Sequence, residues 1–173
     1  FQGVCFAPEF TDADTRLKCF AIYRHLTLRG ADGVSARYAL LLKDFQAVMT
    51  PDFSLFTDYP KSVQIYNHYR KHLLGAYWQS MGMTVVPSIC WSDHDSYEWC
   101  FDGEPQGGTV AVSSVGTQKN PQARDFFLDG YREMLSRLQP SKIIFFGDVP
   151  SGCDGNIERH EAFYKSVNSR RMT

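Results

Sequence analysis

The sequence predicts an α/β fold, with a mostly parallel sheet of about five strands and intervening helices. Short, almost continuously apolar segments alternate along the chain with segments of helical periodicity, which is the order that parallel βα units produce. Strands without polar alternation are typical of a sheet that is buried on both faces. A doubly wound sheet and a partial barrel both fit these two observations, and both alternatives stay open.

The predicted elements follow one another in a regular order. The first strand is "KCFAIYR", residues 18–24, and the first helix is "VSARYALLLKD", residues 34–44. The second strand is "FQAVMTP", residues 45–51. A long helix follows, with Pro60 in its first turn, where the missing N–H of proline costs nothing. That helix is expected to stop at Gly82, because glycine favours the left-handed conformation of helix C-termini.

The alternation continues in the second half of the chain. Three further strands are predicted, at residues 83–91, 108–116 and 142–148. The segment 121–138 reads as an amphipathic helix that begins with proline. Pro87 removes a backbone donor from the third strand, so a bulge or an edge position is expected there. Residues 149–173 are expected to form a helical or flexible tail.

Length and composition indicate a single domain that spans residues 1–173. The chain is long enough to bury a substantial core, 43% of its residues are hydrophobic, and its formal net charge is -1. That charge argues against a uniformly basic nucleic-acid-binding protein. No apolar run approaches the roughly 20 residues of a membrane helix, so no membrane association is expected.

The cysteines favour free thiols and a cytoplasmic setting. Their number is odd, at five, their spacing is wide, and no CxxC motif occurs. This pattern predicts neither a disulfide framework nor a zinc knuckle.

Polar side chains follow the predicted strands, at the end where parallel α/β folds bind their ligands. Asp52 comes directly after the second strand, and Trp91 and Asp93 follow the third. Two carboxylates beside a tryptophan could act as acid and base in the hydrolysis of a sugar or nucleotide. Asp52 and Asp93 are therefore the candidate catalytic residues, expected to share one pocket with Trp91. Asp58 is interpreted as the cap of the helix after Pro60.

Further polar residues at these strand ends and on the long helix are candidate ligand-binding residues. They are Ser54, Asn67, Arg70, Gln79, Trp91, Asp102, Ser113, Ser114 and Lys119. The segment "SSVG" could hold a phosphate through backbone N–H groups at the following helix, with Lys119 nearby. A semi-buried Arg70 would need a carboxylate partner, and Asp52 or Asp102 would serve.

The long helix has two predicted faces. Five residues with three- and four-residue spacing are expected to be buried against the sheet: Tyr66, Leu73, Leu74, Tyr77 and Trp78. Gln64, His68 and Lys71 share another face, which is expected to be solvated.

No cofactor is identifiable from sequence motifs. The chain contains no GxGxxG, GxxxxGK[ST], HExxH or GxSxG motif. The segment "SDHD", residues 92–95, could bind a divalent ion, but four consecutive polar residues seldom converge on one metal. The sequence therefore predicts no metal ligands.

Several motifs resemble those of one known family. In chain order they are "PDFS", "YR", "GAYWQ", "PSICW", "FDG" and "PSKIIFFG". They resemble the DUF4417 family, a domain of unknown function in bacteria and their mobile elements, over residues 45–147. The resemblance implies a cytoplasmic, often phage- or transposon-associated protein with no established activity. It points to Asp52, Ser54, Arg70, Gln79, Trp91, Asp102 and Ser113.

Three functions are compatible with these observations. The leading interpretation is an enzyme or a binder of a small molecule or nucleotide, with a polar cleft at the strand carboxyl ends. The alternative is a module of a phage or mobile element that binds nucleic acid or protein without catalysis, using the aromatic-rich helix. The third is a structural domain whose polar corners only cap helices.

Overall fold

The structure is a computed structural model that describes residues 5–6, 42, 45–118 and 120–161. The first predicted strand, residues 18–24, lies outside the described residues. Of the first predicted helix only Leu42 is described; it is helical and fully buried. Lys119 and the chain after residue 161 also lie outside the described part.

The described residues form six strands, two α-helices and one 3₁₀ helix. In chain order these are β1 (Cys5–Phe6), β2 (Ala47–Met49), α1 (Lys61–Ser80), β3 (Val85–Val86), the 3₁₀ helix (His94–Glu98), β4 (Thr109–Ser113), α2 (Pro121–Leu138), β5 (Lys142–Phe146) and β6 (Ile157–His160). Neither α-helix is long and apolar enough to cross a membrane.

The described strands form two three-stranded sheets. In the first, β2 lies between β1, which is antiparallel to it, and β3, which is parallel to it. In the second, β5 lies between β4 and β6, and both pairings are parallel. A single parallel bridge between Ser88 and Ala111 connects the two sheets. The α/β class is therefore confirmed, but the prediction of one five-stranded sheet is wrong.

Pro87 marks the point where the chain passes from one sheet to the other. Its carbonyl points toward β4 and accepts a hydrogen bond from Ala111 N at 2.9 Å, so its missing N–H removes a donor on the β4 side. Ile89 N donates to the Ala111 carbonyl at 2.8 Å. On the other side, Ser88 N donates to Thr50 Oγ1 at 2.8 Å and Ser88 Oγ to the Thr50 carbonyl at 2.7 Å. The segment around the proline thus contacts β4 while Ser88 keeps its contact with the end of β2.

The segment after β5 contains a strand where a helical or flexible tail is expected. Residues 157–160 form β6, which pairs in parallel with β5. Its flanks complete the ladder, because Ile143 N donates to the Asn156 carbonyl and Gly147 N to the His160 carbonyl. An unpaired edge of β5 would leave these backbone groups without partners.

Helix α1 buries a different face from the predicted one. Leu74 and Trp78 are buried as predicted, but Tyr66, Leu73 and Tyr77 are exposed. The buried residues of α1 are Gln64, Asn67, Lys71, Leu74, Gly75 and Trp78. The expectation that Gln64 and Lys71 are solvated is therefore wrong.

Helix α2 packs on the second sheet and forms the largest core of the described residues. Phe127, Tyr131 and Met134 from α2 are buried against Ile143 and Phe145 of β5. Pro121 opens the helix, and the Asn120 side chain accepts a hydrogen bond from Gln122 N at 2.9 Å. This packing fixes the N-terminal turns of α2 beside the end of β4.

Candidate functional site

A cavity of about 300 Å³ lies at the carboxyl ends of the strands, and we call it the cleft. Its wall comes from the segments after β2, β3 and β4 and from the first turns of α2. The lining residues are Asp52, Ser54, Leu55, Phe56, Thr57, Ile89, Cys90, Trp91, Ser92, Ser113, Val115, Gly116, Thr117, Ala123, Phe126 and Phe127. This is the edge at which parallel α/β folds gather their ligands.

The cleft contains some of the sequence-predicted site residues and leaves others out. Asp52, Ser54, Trp91 and Ser113 line it, whereas Asp93 does not. The second carboxylate of the predicted acid–base pair therefore lies outside the cleft lining.

Neither Asp93 nor Asp58 caps a helix through its side chain. Asp93 stands at the N-cap of the 3₁₀ helix without a side-chain cap hydrogen bond, and its carbonyl accepts from Ser96 N at 3.0 Å. Helix α1 begins after Pro60, again without a side-chain cap, and Asp58 is exposed. The prediction that Asp58 caps the helix after Pro60 is therefore wrong.

The other predicted binding residues lie around the cleft or away from it. Gln79 and Asp102 are exposed. The buried Ser114 hydroxyl donates to the Asp148 carbonyl at 2.6 Å. Asn67 donates to the Ser54 carbonyl at 3.0 Å and so holds a lining residue in place. Lys119 is not among the described residues.

Arg70 does not make the carboxylate contact expected of it. Its Nη2 donates to Asn67 Oδ1 at 2.6 Å, and its guanidinium lies 4.0 Å from the centroid of the Phe53 ring. Amide and aromatic partners thus take the place of Asp52 or Asp102. Through Asn67, Arg70 supports the cleft without lining it.

Asp52 is the only carboxylate among the described residues that line the cleft. Burial raises the pKa of its carboxyl, while the charge of Lys71 and a hydrogen bond from the Cys90 thiol act in the opposite direction. Burial also raises the pKa of the Cys90 thiol, which therefore stays protonated at neutral pH. The raised pKa favours the protonated form of Asp52, in which the carboxyl can donate one hydrogen bond and accept others, and Cys90 is not an activated nucleophile.

Trp91 forms a fixed aromatic wall of the cleft. Its Nε1 donates to the Phe126 carbonyl at 3.1 Å, and its ring centroid lies 5.4 Å from that of Phe127. A Cβ atom at Gly130 would lie 2.2 Å from the same Nε1. The backbone of α2 can approach the tryptophan only because position 130 is glycine.

The β4–α2 connection contributes hydroxyl groups and a backbone segment to the cleft lining. Ser113, Thr117 and Ala123 line the cleft, and Ala123 belongs to the first turn of α2. In the first turn of α2, Pro121 has no N–H, and Gln122 N and Arg124 N donate to the side chain and the carbonyl of Asn120, which leaves the N–H of Ala123 at the positive end of the helix dipole. The cleft therefore combines the Asp52 carboxyl, hydroxyl groups and one backbone donor at a helix N-terminus.

A buried ion pair lies next to the cleft. Lys71 donates from Nζ to Glu104 Oε1 and to the Ser88 carbonyl at 3.1 Å. Burial alone would lower the pKa of Lys71, but the Glu104 carboxylate outweighs it and raises that pKa. Burial would likewise raise the pKa of Glu104, but the Lys71 ammonium lowers it. Both groups are therefore charged at neutral pH.

Glu104 also belongs to a cluster with two histidines that the sequence analysis does not predict. His68, His72 and Glu104 each offer one ligand atom, and these atoms lie within 4.8 Å of one another. Burial and the charges of Lys71 and His72 lower the pKa of His68 to about 4. The signal in the sequence is "HYRKH", which places two histidines on one face of a helix. The glutamate lies too far along the chain for spacing to reveal it.

The fold and the cleft together define an α/β protein with a cavity of small-molecule size at its strand ends. The family model described as "Domain of unknown function (DUF4417)" matches residues 35–163, and the chain belongs to this family. The resemblance seen in the sequence motifs is thereby confirmed.

Two phage proteins are similar to this chain. It is 44% identical over 108 residues to the Gene 1 protein of Mycobacterium phage L5. These aligned residues cover 62% of the chain and 47% of that protein. It is 44% identical over 125 residues to the Gene 1 protein of Mycobacterium phage D29, which covers 72% of the chain and 46% of that protein. The chain spans about half the length of these relatives. No solved structure matches it.

Proposed function

We propose that the cleft binds a small ligand of the nucleobase, nucleoside or nucleotide class. The observation that carries this proposal is the carboxyl of Asp52 in an aromatic-walled cavity beside the N-terminus of α2. The carbonyl oxygen of a carboxyl group accepts hydrogen bonds from the exocyclic amino groups of bases in either protonation state. Trp91 and Phe126 supply flat apolar walls for a base.

The other end of such a ligand suits the β4–α2 connection. The Ser113 hydroxyl accepts from Val115 N and keeps its own hydrogen for a ligand, whereas the Thr117 hydroxyl already donates to the Ser114 carbonyl. In the first turn of α2, the N–H of Ala123 is the backbone donor left for a ligand, because Gln122 N and Arg124 N donate to Asn120. Phosphate oxygens are bound in this way at helix N-termini. The volume of about 300 Å³ stands at the lower end of the range of small-molecule sites, about 300 to 1,000 Å³. A compact ligand is therefore favoured.

Binding is better supported than hydrolysis by paired carboxylates. That mechanism needs two carboxyl groups about 5 to 10 Å apart around one bond. Among the described lining residues Asp52 has no carboxylate companion. The cleft is therefore assigned recognition of a ligand, and Asp52 the role of its acceptor.

A thermal-shift screen tests this function. Nucleobases, nucleosides and nucleotides are compared with matched sugars and sugar phosphates, because a ligand that binds only the native state raises the Tm. We expect a base-containing compound to raise the Tm of the wild type and of Asp93→Asn, but not of Asp52→Asn. Equal shifts for Asp52→Asn and wild type, or shifts caused by sugars alone, would contradict the proposal.

A second candidate function is binding of a macromolecule through the exposed side of α1. We call this side the aromatic face and define it as Tyr66, Tyr69, Leu73 and Tyr77, all of which are exposed. Contiguous exposed apolar groups often mark interaction sites. Similarity to proteins of two phages is compatible with a phage-associated binding module. A protein partner fits better than nucleic acid, because Lys71 is buried and Arg70 stacks on Phe53.

Two assays test the second candidate. Light scattering of the chain alone measures self-association through the aromatic face, and a titration with single-stranded DNA measures nucleic-acid binding. A complex in either assay that the Tyr66→Ser/Tyr69→Ser variant loses would support it. A wild-type chain that stays monomeric and binds no DNA would count against it.

A further inference from the structure

The side chains of His68, His72 and Glu104 converge between α1 and the loop that follows the 3₁₀ helix. The two histidines stand four residues apart on α1, so they share one helix face, and their ring centroids are 4.4 Å apart. Glu104 reaches them from the loop, with its Oε1 3.2 Å from Nε2 of His72. A Cβ atom at Gly103, next to it, would lie 3.3 Å from Cε1 of the His72 ring.

We propose that these three side chains form a binding site for a divalent transition-metal ion of the zinc class. The cluster is separate from the cleft, because none of its three members lines that cavity. The proposal therefore does not depend on the ligand proposed for the cleft.

Three potential ligand atoms of the cluster are buried and lack hydrogen-bond partners among the described residues. They are Oε2 of Glu104, whose side chain is only 1% exposed, Nδ1 of His68, and Nε2 of His72. Buried polar atoms in folded proteins nearly always have a partner, so each exception needs an explanation. A metal ion would satisfy all three atoms at once.

Contacts made by the second nitrogen of His68 and the second oxygen of Glu104 leave Nδ1 and Oε2 for an ion. Nε2 of His68 lies 3.1 Å from the Asp102 carbonyl, which can only accept a hydrogen bond. Nε2 therefore carries the proton, and Nδ1 keeps its lone pair for a metal. An outer contact of this kind is the usual companion of a metal-bound histidine. Lys71 likewise occupies Oε1 of Glu104 and leaves Oε2 for an ion.

The geometry is that of an open three-ligand site. Zinc bonds of about 2.0 to 2.2 Å place tetrahedral ligand atoms about 3.3 Å apart. One ligand atom from each of the three residues lies within 4.8 Å of the other two, so small rotations of the side chains would close the site. The side chain of His72 is 31% exposed, so a fourth position is open to water. Three protein ligands with one open position are typical of catalytic zinc sites.

The donor set selects the metal. Two imidazoles and one carboxylate suit zinc and its neighbours among the transition metals. Mg²⁺ and Ca²⁺ prefer sites made of oxygen atoms alone. Zinc is therefore the probe, with Co²⁺ as its coloured substitute.

The test is a calorimetric titration of the chelator-treated chain with Zn²⁺, followed by elemental analysis after dialysis. We expect one zinc ion per chain. His72→Ala removes a ligand and should weaken binding by more than the roughly 10- to 100-fold that the loss of an outer contact costs. His94→Ala is the matched control, because His94 is 63% exposed and lies outside the cluster. It should bind zinc like the wild type.

The Co²⁺ spectrum of the wild type provides a second measurement that does not depend on how well a variant folds. We expect the visible bands of four-coordinate Co²⁺ without thiolate charge-transfer bands. Absence of zinc uptake by the wild type, a His72→Ala variant that folds and binds equally well, or thiolate bands from cysteine ligands would each overturn the proposal.

Discussion

Gly130 and Trp91 are complementary residues on facing elements of the cleft. A Cβ atom at position 130 would lie 2.2 to 2.5 Å from three atoms of the tryptophan ring. The ring cannot easily withdraw, because the Phe126 carbonyl holds its Nε1 and the Phe127 ring packs on it. The absence of one side chain on α2 thus fixes the position of an aromatic wall.

The first prediction concerns this contact. In Gly130→Ala, overpacking should cost about 1 to 3 kcal/mol of unfolding free energy, and contacts of 2.2 to 2.5 Å favour the upper part of that range. Alanine should return about 1 kcal/mol through its helix propensity, so we expect a net loss of about 1 to 2 kcal/mol. Urea unfolding followed by tryptophan fluorescence measures the effect. The double variant Gly130→Ala/Trp91→Phe should recover part of the loss, and a single variant as stable as the wild type would contradict the contact.

Helix α1 turns a polar face inward and an aromatic face outward. Gln64 accepts from the Ser92 hydroxyl at 2.7 Å and donates to the Tyr59 carbonyl at 2.9 Å. Asn67 and Lys71 find partners on the Ser54 carbonyl and on Glu104. Because these buried polar groups are hydrogen-bonded, the helix can bury them without a large desolvation cost. The helix thereby supports the lining of the cleft from behind.

The second prediction concerns the buried ion pair. Lys71→Met should destabilise the chelator-treated chain by about 3 to 5 kcal/mol, because it leaves the Glu104 carboxylate buried without its counter-ion. The double variant Lys71→Met/Glu104→Gln should lose less than the two single variants together. Chemical unfolding of the four proteins measures the coupling. Additive losses would show that the two charges do not interact.

The third prediction separates the two faces of α1. Trp78 is fully buried, so Trp78→Ala should destabilise the chain by about 3 to 5 kcal/mol through lost burial and a cavity. Tyr66 is 54% exposed, so Tyr66→Ala should change the stability by less than about 0.5 kcal/mol. The Tm values of both variants measure the difference. A comparable loss for Tyr66→Ala would mean that the aromatic face is covered in solution.

The two sheets differ in the length of their strand pairing and in the burial of their strands. The second sheet has two strands of five residues and one of four, and Ile143, Ile144 and Phe145 of its central strand are almost fully buried. The first sheet has only two pairs in the ladder between β2 and β3. The sheets meet at one bridge beside Pro87, so their edges can open to different extents.

The fourth prediction follows from this difference. The amides of Ile144 and Phe145 should be among the slowest to exchange with deuterium, because β4 and β6 flank them on both sides. The amides of Val48 and Val86 should exchange faster. Native-state hydrogen exchange measured by NMR tests the order. Equal protection at Val48 and Ile144 would instead indicate that both sheets open as one unit.

The local features of this protein follow from its amino-acid sequence alone. Apolar runs and proline-opened helices predict the α/β class, the parallel pairings and the span of α2, because these depend on periodicity and backbone chemistry. The motifs predict the family. The order of strands and carboxyl ends also brings Asp52, Trp91 and Ser113 to one edge, and the structure places all three in the cleft lining.

Which side chains meet depends on how distant segments pack together. Periodicity treats Tyr66 as core and Lys71 as surface, but the buried face of α1 depends on partners from distant segments, Glu104 and Ser88. The same holds for the strand β6 in place of a tail, because it forms against the open edge of β5. The convergence of Glu104 on His68 and His72 is likewise a long-range contact. The position of Asp93 outside the cleft lining also depends on packing between segments. Spacing along a chain specifies faces of single elements, whereas packing alone decides which faces come together.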